Sequence, residues 1–424
     1  MQQLQASVPP CMLKNRLLEA GLDASLWPSQ YGFRKQRSTE DAIFCARRYI
    51  ELTCARRNGK VSLLALDWAK AFDSVHIGRL MQCLERFGIS GKTAKAISGL
   101  MQSRKFFVEE DGVRSSTKQQ NSGISQGCTL SPLLFLVVMS AVMEDAIALL
   151  SPEAHSAYTR GELADIVYAD DTMLIGSCPD HLEEFLKAVA AAGKNYGMAL
   201  HEDKFQLLQI GAKPVIRNVN KKTIQSSSSL TYLGATLAED GRVGSELARR
   251  VGAAKADFRA LRQVWRGSSL SRQRKLKIYQ SLIESKLMYC LSTACFSKAE
   301  LRKLDGFQSK CLRSILGIAQ SYISRISNAD VRAQAQVKSL SVALQQRQLA
   351  YLGKILKTDK EAQLRTVRFI PGTLQSATSR YVRRIGRPRK EWVSSLLPIA
   401  FEEGGGFSAV RAAAMSTNNG TALT

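Results

Sequence analysis

Two aspartates stand side by side in VYADDTMLIG, residues 167–176, between two apolar runs. Adjacent carboxylates repel, and they interrupt what would otherwise be a buried strand. A hairpin turn is one account of them, since Asp tolerates turn geometry and Ile-Val-Tyr and Met-Leu-Ile read as paired strands. Tight turns favour Asp-Gly or Asn-Gly, however, and the first glycine here is Gly176. The other account is a divalent cation, which converts the repulsion into attraction. That account needs another carboxylate at a strand end. Asp67, closing VSLLALD, supplies it, and strand ends far apart in sequence can be neighbours in one sheet. Asp67, Asp170 and Asp171 together suit two Mg²⁺ ions about 3.5–4 Å apart, which activate an attacking 3′-oxygen and neutralise a leaving pyrophosphate. Magnesium prefers hard oxygen ligands and keeps water, so a few carboxylates plus substrate phosphates suffice.

Other residues fit the same chemistry. Phe72 follows Asp67 in DWAKAFDSV and is placed to pack under a sugar and exclude a 2′-hydroxyl, although a core Phe is the commoner case. Asp73 is read as a local hydrogen-bond acceptor. The loop SGISQGC offers Gly123 and Gly127, where backbone can approach a nucleotide, with Gln126 beside them. Lys204 is a candidate donor to the leaving pyrophosphate. Each has a plain alternative as core, loop or surface; their order and spacing together carry the signal.

The elements that must position these residues follow from pattern. An amphipathic helix is expected over residues 12–26. An N-cap signature at Ser38-Thr39-Glu40-Asp41 starts a helix running to about Arg57, and Asn58-Gly59 makes a turn. Residues 61–67 read as a buried strand, 76–88 and 91–103 as helices, and 105–121 as a hairpin about Asp111-Gly112. SGISQGC feeds a long apolar helix with Pro132 in its first turn. A helix over 180–197, a turn and strand in MALHEDKFQLLQI, a serine loop at 226–229 and a strand TYLGATL complete the front half. From about Ser245 the pattern is helical. RRIGRPRKEW is a Gly/Pro-broken basic cluster, read as a localisation signal or a minor-groove contact, and a frayed tail follows Glu402.

The 424 residues carry 60 Lys and Arg against 36 Asp and Glu, a formal net charge of +24. Residues 1–240 hold 27 against 25, and residues 241–424 hold 33 against 11. A basic excess over a whole half-chain points to a polyanion, most simply nucleic acid. Arg249, Arg250, Lys255, Arg259, Arg262 and Arg266 recur near helical spacing, as a stripe along a duplex would need. The nine cysteines include no CxxC and do not cluster with the four histidines, which argues against a zinc site and for reduced, mostly buried thiols. No apolar run is expected to reach the length of a membrane span, and Met1 opens no signal-peptide pattern.

These motifs resemble the reverse transcriptases of non-LTR, LINE-type retrotransposons. LALDWAKAFDSV, SGISQGCTLSPLLF, YADD at Tyr168–Asp171, the Gly197–Lys204 turn and TYLGATL look like successive palm motifs. QYGFRKQRSTEDAI looks like the fingers motif of that group. Residues 284–317 are similar to its thumb, and GRPRKEW to a segment downstream. The resemblance covers residues 14–395. It implies an α/β right-hand polymerase: fingers and palm built of an antiparallel sheet plus helices, and an all-α thumb. Residues 1–245 would be partial fingers and palm, 246–350 the helical basic thumb, and 351–424 a basic C-terminal segment with a flexible tail.

The resemblance implies RNA-directed DNA synthesis, extending a primer 3′-end with dNTPs by two-metal nucleotidyl transfer on Mg²⁺, with Mn²⁺ as a substitute. By motif match Asp67, Asp170 and Asp171 bind metal, and Lys204 acts with them in catalysis. Phe72, Gln126, Gly127 and Arg34 bind nucleotide, and Tyr168 lines the primer terminus. Partners would be an RNA template, a DNA primer and dNTPs, in the nucleus and without a membrane. The family's preceding fingers segment is read as missing ahead of the Gln30 motif, and an endonuclease is expected from a missing region or another chain. His201 follows Leu200 where the family has Asn, and Phe205 stands in place of Thr. The second reading is a truncated, inactive relic that binds nucleic acid through its basic thumb.

Overall fold

The computed structural model describes residues 9–101, 104–120, 122–267, 269–371, 373–386 and 388–403. The tail expected to fray lies almost wholly outside them. The chain forms two compact units. The first comprises residues 1–42 and 60–228; the second comprises 43–59 and 229–424.

The first unit is built on a five-stranded sheet. Its order is Ser226–Ser227, Gln206–Ile210, Val61–Leu66, Asp171–Gly176 and Leu163–Tyr168. All pairings are antiparallel except that of the short serine edge strand with Gln206–Ile210. Val61–Leu66 is apolar at nearly every position because it is central and covered on both faces. Helix Ser131–Ala148 runs through the core and packs on helix Pro179–Asn195. It is 18 residues long and apolar enough to cross a membrane, contrary to the reading that no run reaches that length, and 72% of it is buried inside this unit. Its all-round apolarity is that of a core helix.

Local differences from expectation have simple causes. The first helix is broken in two, Pro10–Glu19 and Leu22–Ser25, because Gly21 adopts φ +85°. The hairpin about Asp111-Gly112 forms as two short strand pairs, with both turn residues at positive φ. A helix at Pro152–Thr159, capped by Ser151, was not foreseen.

In the second unit, TYLGATL is not one strand. It is a hairpin, Ser229–Tyr232 with Ala235–Ala238, turning at Leu233-Gly234, both at positive φ. Between residues 246 and 350 every regular element among the described residues is helical. Leu247, Tyr279, Ile283, Leu304, Leu312 and Leu344 are among the core they share. Capping boxes at Ser297 with Glu300 and Ser327 with Asp330 fix two helix starts. Arg250, expected on an exposed stripe, is buried: it binds Glu246 and the Gly234 and Lys286 carbonyls. Lys255, Arg259, Arg262 and Arg266 remain exposed. Trp392 of GRPRKEW is fully buried against Phe44 and Tyr351, with ring centroids 5.0 and 6.0 Å away.

Candidate active site

The strand pairing that builds the first sheet also assembles the carboxylates. Leu66 pairs with Thr172, so the next residue, Asp67, comes level with Asp171. Tyr168 pairs with Asp171, and Ala169-Asp170 form the turn between them. The hairpin and the cation are therefore compatible accounts of the Asp-Asp pair, because the turn itself carries the carboxylates. Ala169 takes φ +56°, the conformation that a tight hairpin usually gives to glycine. A non-glycine residue held there costs about 1–3 kcal/mol unless its surroundings compensate.

Compensation comes from Gln30, which the sequence reading passed over. Its buried amide donates from Nε2 to the Ala169 carbonyl at 3.2 Å, and its Oε1 accepts from the Ala169 N–H at 2.8 Å. The same Oε1 accepts from Gly32 N–H at 2.8 Å. Tyr31 N–H donates to the Val167 carbonyl, and Val167 N–H to the Ser29 carbonyl, so the QYG segment lies along the strand as a short parallel bridge. A side chain at Gly32 would place Cβ 2.4 Å from Ala169 N, which is why glycine stands there. Behind it Asp165, wholly buried, accepts from Trp27 Nε1–H at 2.8 Å, Tyr158 O–H at 2.6 Å and the Ser29 hydroxyl. Burial still holds its carboxyl above the usual range, against those hydrogen bonds.

The electrostatics of the three aspartates are those of an acidic cluster. Burial, then the charge of Asp67, raises Asp170. Burial, then Asp170 and Asp67, pushes Asp171 up to about 6. Its side chain is exposed, so solvent screens part of that repulsion. Tyr168, half-buried, is raised by burial and by Asp171. The donor set is all hard oxygen, which fits a small divalent cation. Among the described residues no three acidic, His or Cys side chains yet converge on one point. Instead Lys204 Nζ lies 3.2 Å from Asp67 Oδ2. His201 N–H donates to the Asp67 carbonyl at 2.7 Å and brings the Glu202–Lys204 turn to that strand end.

Phe72 is half-buried and stacks on Phe135 of the core helix, centroids 4.1 Å apart and planes at 16°. Ile124 N–H donates to the Phe72 carbonyl, and Gly123 N–H to that of Val75, so the SGISQGC loop is laced to the Asp67–Val75 segment. Gly123 has φ +86°, and a Cβ there would lie 2.7 Å from the Asp73 carbonyl oxygen. Gly127 has φ +90° with open space around it. Gln126 is 3.4 Å from an Asp73 carboxylate oxygen, which gives Asp73 the local acceptor role expected of it. Arg34 is buried, and every N–H of its guanidinium is engaged, by the Asp23 side chain and carbonyl and by the Leu26 and Trp27 carbonyls. To reach a nucleotide it must first release those bonds.

The family whose profile is described as reverse transcriptase (RNA-dependent DNA polymerase) matches residues 10–237. The chain belongs to the reverse transcriptase family. It is 26% identical over 367 residues to the RNA-directed DNA polymerase from mobile element jockey of Drosophila melanogaster, covering 81% of this chain and 37% of that protein. It is 26% identical over 314 residues to the retrovirus-related Pol polyprotein from type-1 retrotransposable element R2 of Popillia japonica, covering 69% and 42%. The chain thus spans about two fifths of the length of these relatives. Telomerase from Candida tropicalis matches 97% of this chain and 57% of its own at 13% identity and a TM-score of 0.42, a likeness too loose to carry an inference. The fold is that of the α/β right-hand polymerases, and reverse transcriptases use divalent metal ions.

Proposed function

We propose that this chain is the polymerase portion of a non-LTR retrotransposon reverse transcriptase, extending a DNA primer on an RNA template with dNTPs. The observation that carries the reading is the level placement of Asp67 beside the Asp170-Asp171 hairpin, held there by Gln30. Asp67, Asp170 and Asp171 would hold two Mg²⁺ ions, with Mn²⁺ as a substitute. When bound, the ions supply Lewis acidity to the attacking and leaving oxygens. Asp67 would hold the cation in place of its present partner Lys204, which would leave Lys204 free to donate to the leaving pyrophosphate. Phe72, buttressed by Phe135, occupies the sugar side; Gln126 and Gly127 face the nascent pair, and Tyr168 the primer terminus. Arg34 contributes to the nucleotide side only by exchanging its present carbonyl and Asp23 partners for phosphate.

Residues 1–245 act as partial fingers and palm, 246–350 as the thumb and 351–424 as a basic C-terminal segment. The compact units divide the chain differently, at 228/229, with 43–59 in the second. In the thumb, a groove of about 510 Å³ is lined by Phe258 and Phe307 with Lys255, Arg259, Lys303 and Lys310, which suits a phosphate backbone. Action is nuclear.

Primer extension on an RNA template with Mg²⁺ and dNTPs tests the reading, with Asp170→Ala beside the parent. Extension by the parent alone supports it. Salt-sensitive binding by both without extension supports instead a nucleic-acid-binding relic.

A further inference from the structure

We infer that the GRPRKEW region and the end of the Thr39–Ala55 helix together form a second nucleic-acid surface, one that grips a phosphate backbone. Arg57 N–H donates to the Val382 carbonyl at 2.9 Å, Arg384 N–H donates to the Ala55 carbonyl at 3.0 Å, and Arg56 bridges Arg383. Two stretches remote in sequence thereby present Arg56, Arg57, Arg383 and Arg384 side by side, with Arg389 and Lys390 further along the same segment. All six are exposed, and none makes an ion pair among the described residues. Unneutralised, clustered guanidinium groups raise a field that a polyanion lowers. Between them stand Tyr381, Val382 and Ile385, at 38%, 72% and 79% exposure. The Arg56 guanidinium lies 3.9 Å from the Tyr381 ring centroid. Exposed aromatic and apolar groups interleaved with arginine are what a single-stranded or frayed nucleic acid uses for stacking.

The segment is anchored, not trailing. Trp392 donates from Nε1 to the Ser292 carbonyl and from its backbone N–H to Glu51, both at 2.7 Å. Glu391 accepts from Arg368 Nη2 at 2.8 Å and from Ser376, Thr378 and Ser394. Arg389 bonds the Asp240 carbonyl. The basic groups are therefore pre-organised, and binding costs little ordering of the backbone. The surface uses none of the residues assigned to catalysis or to the thumb groove.

The test is the salt dependence of binding for the full chain and for a variant with Arg56, Arg57, Arg383 and Arg384 all changed to Gln. The probes are duplex DNA, an RNA–DNA hybrid and single-stranded RNA. On single-stranded RNA the variant should show a slope of log K against log salt shallower by about 3. The three probes tell which nucleic acid the surface prefers. Unchanged affinity and slope on all three overturn the proposal. Should the variant fail to fold, photocrosslinking of 4-thiouridine RNA to the unaltered chain decides: crosslinks at residues 377–392 support the surface, and their absence overturns it. Asp170→Ala should leave the slope untouched, so failure of the polymerase reading and failure of this one are separable.

Discussion

Lys204 Nζ sits 3.2 Å from Asp67 Oδ2, where a divalent cation would draw the same carboxylate. Both side chains are well exposed, so the pair adds little to stability. Lys204→Gln should leave thermal stability nearly unchanged and tighten Mn²⁺ binding a few-fold by removing the competing charge. It should also slow extension, by about 10²-fold if Lys204 delivers a proton. Mn²⁺ titration and single-turnover kinetics read the two effects separately; no change in either would remove Lys204 from the site.

Gln30 predicts a different pattern. Gln30→Ala leaves the Ala169 N–H and carbonyl and the Gly32 N–H without their partner, at a cost of about 1–3 kcal/mol for each group left buried and unsatisfied. Because the clamp holds the residue preceding Asp170, kcat should fall more than KM rises. Gln30→Glu keeps the acceptor and loses the donor, so it should recover part of the rate. Wild-type kcat in the Ala variant would show that the turn holds itself.

The pH dependence follows from Asp171. Its folded value of about 6 lies above the ordinary 3.8, so the folded chain holds this proton more tightly than the unfolded one. The stability this contributes is present below 3.8 and is lost as pH rises through about 6. Divalent cations compete with the same proton. Mn²⁺ affinity should therefore climb between pH 5 and 7, and Asp171→Asn should flatten both the metal and the stability profiles. Isothermal titration at several pH values is the measurement; a flat wild-type profile would contradict the shift.

Two glycines in one loop separate strain from contact. Gly127→Ala meets open space, and its cost should be about 1 kcal/mol, from positive φ alone. Gly123→Ala adds a clash with the Asp73 carbonyl and should cost clearly more, while shifting the loop that is bonded to Phe72. Denaturant melts of the two variants make the comparison, and equal costs would mean the Asp73 segment yields freely.

Phe72→Val should admit ribonucleotides, since the smaller side chain cannot fill the space that the stacked ring occupies. Discrimination between dNTP and rNTP should drop about tenfold or more, measured by single-nucleotide incorporation. Undiminished discrimination would return Phe72 to a purely structural role.

Much of this was legible in the sequence because strand ends announce themselves. An apolar run closing on Asp67 and another interrupted at Asp170 set both the sheet and the acidic cluster. What stayed hidden was contact between segments. Nothing in QYG says that Gln30 binds Ala169, because a glutamine bonded to backbone carries no spacing signal. Ala169 at positive φ was illegible for the same reason: its conformation is imposed from outside the hairpin. Arg250 was placed on a solvent stripe because helical periodicity cannot see the Gly234 carbonyl that draws it inward. TYLGATL was read as a strand because Leu233-Gly234 is an unusual turn pair. Gly32 showed only that glycine was there, and the 2.4 Å approach of Ala169 showed why.

The second unit is made of two pieces of chain, residues 43–59 and everything from 229 onward. It is consequently no cassette. A gene fragment starting at the thumb would encode Trp392 without Phe44 beneath it, and Arg368 and the Trp392 N–H without Glu51. Recombination that exchanged C-terminal halves between related elements would join helices that never shared a core, unless the Thr39–Ala55 helix travelled with them. Inheritance of this unit is thereby tied to a stretch of message read long before it.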